Sequence, residues 1–208
     1  MPLGSKSEHR KSRWLFLLKQ TMTSKKEYFE IKIEELQSLG KWAADCAERA
    51  LMIFESIENG DSRPRNAING IRDFSSSGKR TNHLRKLALD AYRASLETKD
   101  TAASAAAQSA SLAASSAYTH PFKDIKQSKH ILGAAAYSAF ALEQHKKLGR
   151  SIGDKEIELA IDNATSEIAG LLNKMPAYKT GAKRIDQLFY ELDSGIRNRF
   201  LEGSDNPQ

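Results

Sequence analysis

The chain holds one cysteine, five prolines and only 8% aromatic residues in 208 positions. Cys46 cannot close an intramolecular disulfide alone, nor build a cysteine-based zinc finger or ribbon. A single thiol fits a reducing, cytoplasmic compartment. No stretch reaches the roughly 18 consecutive apolar residues of a membrane span. Residues 101–119 are free of charge, but five serines and a glutamine keep their hydropathy low. The apolar run Trp14–Leu18 is too short for the core of a signal peptide. The phosphate-binding glycine loops, the zinc-protease His-Glu-x-x-His and the Gly-x-Ser-x-Gly elbow are all missing. So are the Glu-x-x-His pair of di-iron bundles and the Arg-x4–6-His spacing of helical ribonucleases. These absences lower the prior for an enzyme and point to no metal and no cofactor.

Charge of one sign is also scarce outside one segment. The formal charge is +6. Residues 1–26 carry seven bases (Lys6, Arg10, Lys11, Arg13, Lys19, Lys25, Lys26) against Glu8, which is the whole excess. Residues 27–208 therefore balance, which argues against a nucleic-acid-binding face spread over the fold. Met1–Ser5 reads as an expression scar, and Met22-Thr-Ser-Lys-Lys resembles a natural start. Removing residues 1–21 takes away five bases and one acid and leaves +2. The alternative is a native basic arm, with Trp14–Leu18 docking on something.

What is abundant is helical pattern. In Ile33–Ile57, Leu36, Leu39, Ala43, Cys46, Ala50, Ile53 and Ile57 alternate spacings of three and four, a seam for packing on other helices. Asp61 or Ser62 caps a short second helix to about Phe74, with Pro64 in its first turn and Ser75–Gly78 as its break. A third helix is expected over 82–97. A fourth, over 101–118, is nearly all alanine and serine and should lie centrally, where neighbours can approach its small side chains. The fifth spans 125–148 and stops at Gly149. Asp154 caps a sixth over 155–174, and a seventh covers 182–201. The expectation is an all-α, compact bundle of six or seven helices in one domain, residues 27–202, between a basic leader and a frayed tail, 203–208.

The most informative residues sit at the first two helices. Trp42, Asp45 and Arg49 share one face of the first, and Asp45 and Glu48 bring two carboxylates close together. In Asp61-Ser-Arg63-Pro-Arg65, two arginines occupy a helix N-terminus, where the backbone dipole disfavours cations. Asp45, Glu48 and Asp61 are the nearest acids able to offset that cost, through the forked guanidinium. A charge network of Asp45, Glu48, Arg49, Asp61, Arg63 and Arg65 is therefore expected. Cys46 on the seam reads as a buried, inert thiol. His120, His130 and Tyr137 are further polar candidates, for hydrogen bonds inside the bundle.

Asp45-Cys-Ala-Glu-Arg49, then Phe54-Glu55, then Asp61-x-Arg-Pro-Arg65-x-Ala-Ile68 resemble the paired signature of the bacterial immunity-five-like putative immunity proteins. His130-Ile-Leu-Gly133-Ala-Ala-Ala-Tyr137 is similar to that family's later helical block. The resemblance covers about residues 33–142. It departs where a histidine is expected in the third helix, since Asp90-Ala-Tyr92 stands there. It implies an all-α, non-enzymatic protein that neutralises a cognate bacterial toxin by occluding it. Two other readings stay open: a small-molecule-binding or hydrolytic bundle using Asp45, Glu48 and a histidine such as His130, and a nucleic-acid contact through the leader. A homo-oligomer is compatible with all three.

Overall fold

The long seam of Ile33–Ile57 folds as a single helix, α1, whose seam residues from Leu36 to Ile53 are buried, while Ile57 at its end is exposed. The computed structural model describes residues 27–145 and 149–202. Seven more helices follow: α2 Arg63–Ser77, α3 Asn82–Glu97, α4 Thr101–Ser116, α5 Ile125–Gln144, α6 Arg150–Asp162, α7 Ser166–Asn173 and α8 Arg184–Glu202. Among the described residues there is no strand beyond an isolated bridge between Tyr28 and Phe122. The basic leader with Trp14–Leu18, the polar tail and the expected continuation of α5 through 146–148 lie outside the described residues.

The alanine-serine helix α4 packs against α1, α2, α3 and α5. Eleven of its sixteen residues are buried. Small side chains allow close approach on several sides at once: a Cβ on Gly133 of α5 would come within 2.7 Å of Leu112 on α4. Helices α6 and α8 cover the far side of α5, and α7 bridges α8 to α1.

Three boundaries differ from expectation. Helix α2 runs on through Ser75, Ser76 and Ser77, whose hydroxyls donate back to the carbonyls of Ile71, Arg72 and Asp73. It ends at Gly78, which takes the left-handed conformation that glycine tolerates best (φ 68°). Helix α6 begins at Arg150, after Gly149 (φ +87°), so Asp154 lies within the helix and does not cap it.

The expected single helix over 155–174 is two, which brings the described total to eight rather than six or seven. Carbonyls at the end of a helix need partners, and α6 finds them across the chain. Trp42 Nε1 donates to Ala160 O (3.0 Å), Asn163 Nδ2 to Leu159 O (2.8 Å) and Arg199 Nη1 to Ile161 O (2.6 Å). With these bonds made, the helix can stop, and Thr165 is extended before α7.

Candidate functional site

Arg63 and Arg65 enter α2 in the first turn, where the backbone offers no anionic end. Each guanidinium is held by two carboxylates. Arg65 Nε and Nη2 donate to the two oxygens of Glu55, both at 2.8 Å, and Nη1 donates to Glu48 Oε1 at 2.5 Å. Arg63 donates to both oxygens of Asp61 and, at 2.6 Å, to Glu97 Oε2 at the end of α3. Ser62 holds the N-cap position but its side chain makes no capping bond; Asp61 Oδ1, one residue earlier, accepts from the Arg63 backbone N–H at 3.0 Å instead. Hydrogen bonds from Arg63 hold the Asp61 carboxyl below its ordinary range.

A third arginine, Arg72, completes the row two turns further along α2. It donates to Glu48 Oε2 at 2.8 Å and lies 3.5 Å from Asp45 Oδ1. The paired carboxylates of Asp45 and Glu48 are thus bridged by a cation that the sequence reading did not name. Its seven-residue spacing from Arg65, which repeats the same helix face, was the available signal. The network also takes in Glu55, outside the expected set, and Glu97, which no local spacing marks.

Arg49 behaves differently from expectation. It reaches the backbone carbonyl of Asp45 at 3.1 Å rather than its carboxylate. Its Nε pairs with Glu156 on α6, a buried carboxylate that also lies 3.4 Å from Ser138 Oγ. Burial pushes the Glu156 carboxyl above its usual value, and Arg49 offsets part of that. Trp42 is buried and tied to the end of α6. Cys46 is 1% exposed, and burial pushes its thiol up to about 12 against the pull of Arg49, so no thiolate forms at neutral pH. Trp42, Asp45, Cys46 and Arg49 line one side of a hollow of about 440 Å³, with Asn163 and Thr165 opposite.

The remaining candidates lie elsewhere. His120 is exposed and stacks on Phe122 (5.7 Å between centroids). His130 Nδ1 is 3.1 Å from Ser115 Oγ on α4. Tyr137 stands edge-on to Phe189 of α8 (6.2 Å), and burial raises its hydroxyl pKa. The structure brings Asp45, Glu48, Arg65 and Arg72 together and does not join His130 to them. Among the described residues no group of three His, Cys, Asp or Glu side chains is placed to hold a metal ion. None of the helices described is long and apolar enough to cross a membrane.

Two predictions arise here. Arg65→Ala removes the pairs to Glu48 and Glu55; because all three side chains are about a third exposed, the loss is about 1 kcal/mol. It is read by denaturant unfolding and shrinks at high salt; a salt-independent loss of several kcal/mol would contradict this account of the network. For His130, burial first, then His120, lowers the pKa below the ordinary 6.5. A depressed histidine pKa means that the unfolded chain binds the proton more readily. The contribution of His130 is therefore whole above about 6.5, the unfolded value, and is lost as pH falls from there through the lower folded-state pKa. Stability measured from pH 8 to 5 should fall less steeply in His130→Gln than in the parent; parallel curves would reject the assignment.

The family model described as Imm-5 like putative immunity protein matches residues 30–167. That span exceeds the stretch of resemblance read from the motifs and takes in all of α6 with its Arg49 and Trp42 contacts. Curated proteins and solved structures return no match. The match covers well over half of the chain and includes every arginine and carboxylate of the α1–α2 network, so this chain belongs to the Imm-5 like putative immunity protein family.

Proposed function

We propose that the chain is a non-enzymatic binding protein that neutralises a cognate protein toxin by covering it. Family membership across residues 30–167 carries the reading. The geometry supports it. Asp45, Glu48, Glu55 and Asp61 are each engaged by an arginine, an arrangement suited to fixing α1 against α2 rather than to proton transfer. A scaffold fixed before the partner arrives loses little freedom on binding, and that favours tight occlusion.

The test is co-expression in a sensitive host. The product of the gene next to this one is induced with and without the chain. Restored growth, together with a stoichiometric complex on co-purification, is the expected result. Growth arrest that persists while the chain is present and folded would overturn the reading.

A further inference from the structure

The charge balance of residues 27–208 conceals a separation. Residues 79–130 hold nine bases against four acids, an excess matched by acids in the rest of the described chain and its tail. Two of those four acids are already engaged, Asp90 by Arg93 and Glu97 by Arg63, and Asp100 and Asp124 cap α4 and α5. Arg93 is in turn spent on Asp90 and Lys123 on Glu27, so Arg85, Lys86, Lys99, Lys126 and Lys129 are what make the face of α3 and the start of α5 basic.

On that face α3 carries a second seam, pointing outward. Arg85, Leu89, Tyr92 and Leu96 follow at spacings of four, three and four, the pattern by which one helix packs on another, and Lys99 lies just past the helix end. Its apolar members are uncovered: Leu89 is 51%, Tyr92 43% and Leu96 65% exposed. Tyr92 and Leu96 form one wall of a groove of about 460 Å³, with Tyr137 and Phe140 of α5 opposite. Its floor is the outward stripe of α4, where Ser104, Ala105 and Gln108 are short or already bonded. Such a floor lets a helix backbone approach closely.

The geometry points to this groove as the docking surface for an acidic amphipathic helix of the partner protein, and the inference rests on the binding-protein reading above. Charge decides the occupant. Arg85 and Lys99 at the two ends of the seam, with Lys86 beside it, complement carboxylates flanking an apolar stripe; the one acid lining the groove, Asp100, is taken up in capping α4. Nucleic acid would use the cations and Tyr92, but it leaves Leu89 and Leu96 without a role.

The experiment uses the full chain and a labelled helical peptide of about four heptads, leucine on its seam and glutamate on its flanks. The controls are a peptide with lysine flanks and a DNA duplex. The glutamate peptide should bind, more weakly as salt rises, and the lysine peptide should not. L89D/L96D, changed at exposed positions and checked for an unaltered melting temperature, should weaken binding at least roughly tenfold. K86E/K99E should weaken the salt dependence, with Arg85 still in place. Preference for the DNA, equal binding of both peptides, or self-association of the chain that L89D/L96D abolishes would each overturn the proposal. The growth assay separates the two readings. If the parent rescues and L89D/L96D rescues equally, the surface is wrong and the function stands. If the parent itself fails to rescue, the function falls and peptide binding judges the groove alone.

Discussion

Arg184→Ala should lower the melting temperature by about 10 °C, the largest effect expected of any single charge removed from this protein. Arg184 starts α8 and is only 13% exposed. It grips Glu143, buried near the end of α5, through Nη2 at 2.6 Å and Nε at 2.9 Å, and it also pairs with Asp154 and Glu191. Taking away the cation leaves a carboxylate in the interior with no partner, which costs about 3–5 kcal/mol. The same pocket depends on Gly153 of α6, because a Cβ there would overlap the Glu143 carboxylate. Gly153→Ala should therefore be strongly destabilising too, and the two changes should not add, since both break one contact. Replacing both partners by methionine should recover much of the loss. Calorimetry on the four variants decides it; a melting temperature for Arg184→Ala within a degree or so of the parent would sink the account.

Phe54→Ala should cost about 3–5 kcal/mol, toward the upper end of that range. Phe54 is fully buried in a cluster whose other buried members are Ile53 and alanines: Ala50 of α1, Ala94 of α3, Ala102, Ala103, Ala105, Ala106 and Ala107 of α4, and Ala141 of α5; Tyr137, Phe140 and Leu142 pack at its edge. A cavity is costly when its neighbours cannot move in, and a methyl group has no length with which to reach across. Phe54→Leu should retain most of the stability, because it keeps volume at the site. Chemical denaturation of the two variants separates them; equal losses would mean that the ring is not filling this cluster.

Much of the helical order was legible because it depends on local chemistry. The three-four seam of α1, the Asp61–Pro64 entry to α2 and the alanine run of α4 each state their own geometry in consecutive residues. The break at Asn163–Thr165 was not legible for an equally physical reason. Ile157, Ala160, Ile161, Ala164 and Ile168 keep a helical period straight through it, and the bonds that end α6 come from Trp42 and Arg199, far away in sequence. The network follows the same division. That Arg63 and Arg65 need acids follows from their place at a helix start. That these include Glu55 and Glu97 depends on how α1, α2 and α3 cross, which spacing within one helix does not determine. The buried acids Glu143, Glu156 and Asp193 gave no sign at all, since each looks like an ordinary surface residue until its arginine is found.

The bond from Trp42 to the end of α6 has an optical consequence. An indole buried beside Cys46 with its N–H fixed to the Ala160 carbonyl emits at short wavelength, and water reaching it shifts the emission to the red. The chain has one other indole, Trp14. In a Trp14→Phe background the fluorescence therefore becomes a clock for a single event, the parting of α6 from α1, recorded without any attached dye.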